Sequence, residues 1–343
     1  MIAVVKVGSS SVSTDTVVRL CDEIAPARHA GHTVVVVTSG AISAGWEALD
    51  PGTPRPTDPA VLQAVSAVGQ HRLMRLWQDG LDRDHTLAGQ VLLAPLDFVH
   101  RTQYLHARGT LRHLIDLGVV PVVNENDAVA DEEIRFGDND RLAALVAHVV
   151  RAGALVLLSD VDGLYDFDPR YPGAQRITHV GPDQAELDGI TLGPPSRAGA
   201  QGGAARGVGT GGMVTKVDAA LIATEAGIPA VVAGAGQAVA ALAGEPVGTY
   251  FAPHGRRPAT RQLWLAHAAV ARGTLALDAG DPVDLCDPEG HVVARGLVNY
   301  DAAEIPALMG RSTRWLAARK GAEYEREVVH RDDLVVLAPM PLP

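Results

Sequence analysis

The stretch Thr33–Thr38, TVVVVT, running directly into Ser39-Gly40-Ala41, decides the fold. Successive side chains on a strand point to opposite faces, so four consecutive valines need an apolar cover on both sides. That is the setting of a parallel strand held between two layers of helices. The same unit repeats outward. Upstream, Ile2–Val7 reads as a strand, and Val17, Leu20, Cys21, Ile24 and Ala27 share one face of a helix that Pro26 kinks or ends. Gly31 stands where a helix terminus takes a left-handed residue. Downstream, helical stretches at Pro59–Leu81, Thr102–Leu117, Leu142–Arg151 and Met213–Ala226 alternate with strands at Gln90–Leu93, Val119–Val123, Ala154–Ser159 and Ala230–Ala233. The alternation predicts an α/β fold, an open and mainly parallel sheet sandwiched by helices.

This pattern fills residues 1–252. Residues 253–262, which contain PHGRRPAT, read as a linker, and 263–343 change character to short strands, a turn at Pro288–Gly290 and one helix near Ala302–Leu308. Inside the first domain, Gly193–Gly212 is so rich in Gly, Ala and Pro that its first part reads as a mobile loop. A length of 343 residues suits about two domains. A hydrophobic share of 47% excludes a disordered chain, and no apolar run is long enough to span a membrane. The first residues lack the basic segment and apolar stretch of a signal peptide, and two cysteines cannot build a disulfide framework, so a cytoplasmic protein is expected. The net charge of −11 argues against a general nucleic-acid or membrane binder.

Several familiar motifs fail their context. No G-x-x-x-x-G-K-[ST] is present. Gly207, Gly209 and Gly212 satisfy G-x-G-x-x-G, but a Gly- and Ala-rich loop precedes them where a dinucleotide site needs a strand. His330-Arg331-Asp332 mimics a protein-kinase triplet with no Asn at the required offset, and reads as a surface strand end.

The positive signals sit at strand ends. Lys6 ends the first strand just before Gly8 and three serines, a place where backbone N–H groups and an ammonium suit a phosphate, although an ordinary turn would look the same. Ser39-Gly40-Ala41 repeats that geometry, with simple helix capping by Ser39 as the plainer reading. Asn124–Asp127 and Gly137–Arg141 crowd Asx and Glu residues at the mouth of an apolar sheet. Asp138 or Asn139 could serve as caps, but two such clusters exceed what capping needs and read as a binding site. Lys216, in the first turn of a helix opened by Thr210-Gly211-Gly212-Met213-Val214-Thr215, opposes the helix dipole. A facing phosphate explains that placement; a stem reaching solvent is the alternative. Ser159-Asp160 adds a further polar strand end.

Taken in order, VVKVGSSSV at 4–12, VVVVTSGAISAG at 34–45, PVVNENDAVADEEIRFGDND at 121–140, LLSDVDGLYDFDPR at 157–170, GTGGMVTK at 209–216 and GTYFAP at 248–253 resemble the amino acid kinase superfamily. Within it they resemble the branch that phosphorylates the side-chain carboxylate of L-glutamate with ATP and Mg²⁺, opening proline synthesis. The resemblance implies that Lys6 and Lys216 hold the transferring phosphoryl group and that Asp140 orients them. It implies that Ser39, Asp127 and Asn139 contact the substrate, and that Lys6, Ser159, Asp160 and Thr210–Lys216 contact the nucleotide. It further implies a homo-oligomer, feedback by proline, and a reductase that consumes the glutamyl phosphate. A sister kinase with another substrate, or a non-catalytic kinase-like protein with an RNA-binding tail, are the alternatives. The C-terminal part resembles a PUA domain, a module often associated with RNA. Between Gly280 and Asp281 it lacks a helix and strand usual in that family, so an incomplete barrel is expected. From Pro253 onward 11 Arg/Lys face 12 Asp/Glu, without the basic footprint of an RNA binder.

Overall fold

The computed structural model describes the chain except residues 10–11, 50–51, 53, 99–100, 130–138, 189, 191–211, 255–281, 287–291, 302, 309–320, 322–326 and 337–343. The chain divides into two compact units, Met1–Arg257 and Pro258–Pro343.

In the first unit the apolar runs form strands β1 (Ile2–Val7), β2 (Thr33–Thr38), β3 (Ala88–Leu93), β4 (Val120–Glu125) and β5 (Ala154–Ser159). The helices between them are α1 (Thr14–His29), α2 (Ala41–Leu49), α3 (Pro59–Leu81), α4 (Arg101–Asp116) and α5 (Asn139–Val149). Short strands β6 (Leu164–Tyr165), β7 (Arg176–Ile177) and β8 (His179–Val180) follow, then α6 (Met213–Glu225), β9 (Ala230–Gly234), α7 (Ala238–Leu242) and β10 (Thr249–Phe251). One eight-stranded sheet runs β3-β4-β2-β1-β5-β9-β10-β8. Its first six strands are parallel, and β10 pairs antiparallel with β9. The four central valines of β2 are wholly buried, as a strand covered on both faces requires.

The strand order fixes where a ligand can bind. From β1 the chain steps to β2 on one side, and after β4 it crosses back to place β5 on the other. Such a switch opens a crevice beyond the carboxyl ends of the strands that flank it. Register sets Lys6 opposite Val37 of β2 and Leu157 of β5, so the ends of β1, β2 and β5 reach that crevice together.

Helices α2 and α3 cross with their backbones in contact. A Cβ on Gly45 would lie 2.0 Å from the Val65 carbonyl oxygen, and one on Gly69 would lie 1.7 Å from that of Ala41. Gly69→Ala is therefore expected to destabilise the unit by about 3 kcal/mol, the upper range for overpacking a tight contact. Urea unfolding checks this, and an unchanged midpoint would contradict the crossing.

Three expectations are corrected. Pro26 does not end α1, which continues to His29; Pro26 and Asp22 lie on its exposed face, where water can serve the carbonyl that proline leaves without a donor. Helix α5 begins at Asn139, earlier than the apolar pattern indicates, so Asn139 is a helical residue and not a cap. His330-Arg331-Asp332 lies near the start of a strand and not at its end. The glycine-rich stretch up to 211, with Gly207 and Gly209, lies outside the described residues, as do most of the linker and the Pro288–Gly290 turn.

The second unit contains a three-stranded antiparallel sheet of β11 (Pro282–Cys286), β12 (Val292–Val298) and β13 (Val329–Val336), with β12 central. Among its described residues lies the short helix α8 (Ile305–Leu308), and Tyr300 and Leu308 are buried together against Ile305. Among the described residues no helix is long and apolar enough to cross a membrane.

Candidate active site

Asp140 is the centre of the site. It is fully buried in the first turn of α5, where the positive end of the helix favours a carboxylate. Lys6 reaches it from β1, Nζ to Oδ1 at 2.6 Å, and Lys216 reaches it from α6, Nζ to Oδ2 at 3.1 Å. Lys6 is 2% exposed and Lys216 8%, so neither stem reaches freely into solvent and that reading of Lys216 is corrected. The Thr215 hydroxyl lies 2.8 Å from Asp140 Oδ2 and 2.9 Å from the Gly212 carbonyl; its single proton can serve one of them at a time. Beside this cluster Arg141 of α5 pairs with Asp218 of α6 at 3.3 Å. Two neighbouring residues of α5 thus clamp three positions of α6 and hold the lysine in place.

The arrangement leaves donors for a ligand. The Lys216 ammonium carries three N–H bonds and spends one on an oxygen that it shares with Thr215. Gly8 keeps the approach to Lys6 open, because a Cβ there would sit 3.7 Å from its Nζ. Gly212 precedes α6 without a side chain, so the first N–H groups of that helix face outward at its positive end. An anion as large as a phosphoryl group fits the chemistry of this donor set.

A second group of polar contacts joins the ends of β2, β4 and α5. Asn139 Nδ2 lies 2.6 Å from the Thr38 carbonyl oxygen, 2.7 Å from Asn124 Oδ1 and 3.0 Å from Ser39 Oγ. The Ser39 hydroxyl is thereby tied to α5, and Gly40, at φ +110°, turns the chain between it and α2. Trp77 Nε1 donates to Thr38 Oγ1 at 3.2 Å and buttresses the same strand end from α3.

The structure therefore brings together Lys6, Asp140, Thr215 and Lys216 as one cluster, and Ser39 with Asn139 as another. Asp127 is half-buried in the turn just after β4. Ser159 ends β5, its carbonyl accepting from Ala235 N–H and its hydroxyl 3.5 Å from Val161 N, with Asp160 next in the chain. Met213 and Val214 open α6. Thr210 and Gly211 lie outside the described residues. Asn124, part of the polar cluster read from sequence as a binding site, bonds through its amide to that of Gln70 at 2.8 Å, and Gln70 was not singled out from sequence. Gln70 carries a signal nonetheless: a polar residue on the helical stripe of Gly69, Leu73 and Trp77.

Comparison with known proteins identifies the family. Residues 1–234 match the amino acid kinase family and residues 265–316 match the PUA domain. The chain belongs to the amino acid kinase family. Curated relatives at 42–51% identity are glutamate 5-kinases. That of Thermobifida fusca is 51% identical across 97% of this chain and 92% of its own length. Those of Streptomyces coelicolor and Salinispora arenicola are each 50% identical, covering 98% and 97% of this chain and 96% and 97% of their own. The first alignment spans 370 residues against the chain's 343, so that relative carries internal residues without a counterpart here.

Proposed function

We infer that this chain transfers the γ-phosphoryl group of ATP to the side-chain carboxylate of L-glutamate, giving L-glutamyl 5-phosphate, the first step of proline biosynthesis. The observation that carries the reading is the buried carboxylate of Asp140 shared by two lysines at the switch point of the sheet. Near-50% identity to glutamate 5-kinases over almost the whole chain supports the substrate. A carboxylate oxygen attacks the γ-phosphorus while the bond to the ADP oxygen breaks. The attacking group is already ionised at neutral pH, so no general base is required. The difficulty is that two anions meet, and positioning with charge neutralisation supplies the catalysis. Lys6 and Lys216 neutralise the transferring group, and Asp140 with Thr215 fixes where Lys216 points. Ser159, Asp160 and Gly212 to Lys216, together with Thr210 and Gly211, take the nucleotide; Ser39, Asp127 and Asn139 take glutamate.

Mg²⁺ would accompany the phosphates of ATP. Among the described residues no group of three or more His, Cys, Asp or Glu could hold a metal ion, and both Asp140 oxygens face lysines. The described side chains thus form no protein cage for it, and no step is assigned to it.

ADP release measured with glutamate, N-acetylglutamate, aspartate and UMP in turn tests the reading. Glutamate alone should support turnover, and turnover with UMP alone would overturn it. Asp127 facing the α-ammonium of free glutamate would explain rejection of N-acetylglutamate, whose amide leaves the carboxylate unmatched. Asp127→Asn should then raise the KM for glutamate by the equivalent of about 1.5–3 kcal/mol, the range for a charged hydrogen bond. The KM for ATP should hardly move. A variant that weakens ATP and leaves glutamate untouched would place Asp127 on the nucleotide side.

We further propose residues 1–252 as the kinase domain, 253–262 as a linker and 263–343 as a shortened PUA-like domain with an assembly or regulatory role in a cytoplasmic homo-oligomer. Feedback by proline and a reductase taking up the labile acyl phosphate fit the same pathway. A chain ended after Arg257 should keep glutamate-dependent turnover; loss of chemistry in a folded truncation would mean that the second unit completes the site.

A further inference from the structure

Three side-chain amides form a directed line from the core to the substrate side of the cleft. Two backbone groups fix its direction. The Glu125 N–H donates to Asn124 Oδ1 at 2.9 Å, so the oxygen of that amide is pinned and its nitrogen must face away. Asn124 Nδ2 then donates to Gln70 Oε1 at 2.8 Å. At the other end the Thr38 carbonyl and Asn124 Oδ1 are both acceptors, so Asn139 must turn its nitrogen to them. The carbonyl oxygen of Asn139 is left on the opposite side as an acceptor. Reversing any amide would set donor against donor or acceptor against acceptor. Gln70 itself is 9% exposed, and its Nε2 is buried without a partner among the described residues, which is costly for an amide held there only for shape.

We propose that Gln70 of α3 is a positioning residue that, by holding Asn124 Nδ2, fixes the place at which the already oriented Asn139 amide presents its acceptor oxygen to the α-ammonium of the amino-acid substrate. This rests on the assignment of glutamate as that substrate. The ammonium contact is made in the ground state and the transition state alike, so its loss appears in KM and not in kcat.

The experiment is steady-state kinetics with glutamate and ATP varied separately, beside thermal unfolding of each variant. Gln70→Met keeps the side-chain length and removes the acceptor. Its KM for glutamate should rise about tenfold, the scale of a buried hydrogen bond, with kcat and the KM for ATP within about threefold. Gln70→Glu keeps an oxygen against Asn124 Nδ2 and should recover most of the lost affinity. If Gln70→Met does not fold, Gln70→Asn, which withdraws the amide by one methylene, should show the same selective rise. An unchanged glutamate KM would overturn the role of Gln70 while leaving the glutamate reading intact. So would equal losses for both substrates that track a lowered unfolding temperature. Wild-type protein that turns over ATP without needing glutamate would overturn both.

Discussion

Asp140→Asn is expected to lower kcat by about 10³-fold or more, beyond the loss of a single preorganised donor, because both lysines lose their orienting charge at once. Asparagine keeps the shape and can still accept from Thr215, but it cannot compensate Lys6 at 2.6 Å and Lys216 at 3.1 Å in a site where Asp140 is fully buried. Breaking a buried pair by removing one partner costs about 3–5 kcal/mol, so the fold should weaken as well. Added ATP or inorganic phosphate should return part of that stability, since an anion can take the place of the carboxylate between the two ammoniums. Urea unfolding with and without the anion, beside kcat, measures both effects. Turnover within tenfold of wild type would remove Asp140 from the centre of the mechanism.

Lys216→Ala is expected to separate catalysis from stability. Lys6 still compensates Asp140 in this variant, and the Thr215 hydroxyl still lies 2.8 Å from Oδ2, so the unfolding midpoint should change far less than in Asp140→Asn. The kcat should fall by about 10²–10³-fold, the scale of one donor aimed at charge that develops in the transition state. Lys216→Arg should not restore it fully, because a planar fork replaces a compact ammonium whose line to Asp140 is set by α6. Near-normal turnover in the alanine variant would refute the assignment.

Much of the sheet was legible because its strands are apolar on both faces: TVVVVT at 33–38 and the runs at 2–7 and 154–159 occupy the strands that their composition implies. Lys216 was legible through a conflict, a cation at the positive end of a helix. Its partner was legible only through the family resemblance and not from the local pattern, since the pairing with Asp140 spans 76 positions and depends on α5 packing against α6. The start of α5 was obscured because Asn139 and Asp140 look like capping residues; they are helical because their side chains bond across the cleft to Ser39, Thr38 and the lysines. Pro26 misled for the opposite reason, a strong local signal overridden where its helix face is exposed. Gln70 went unassigned because one polar residue on an apolar stripe gives no direction; only the pinned amide of Asn124 does that.

The central claim, that a glutamate carboxylate oxygen attacks the γ-phosphorus of ATP at the Lys6–Asp140–Lys216 cluster, is tested most directly by an oxygen transfer. Glutamate labelled with ¹⁸O in its side-chain carboxylate is turned over with ATP in the presence of hydroxylamine, which attacks the acyl carbon of the product and expels phosphate with the bridging oxygen. Mass analysis of the released phosphate should show one ¹⁸O atom per turnover, with one hydroxamate formed for each ADP. Unlabelled phosphate, meaning transfer to water or to another acceptor, would contradict the account.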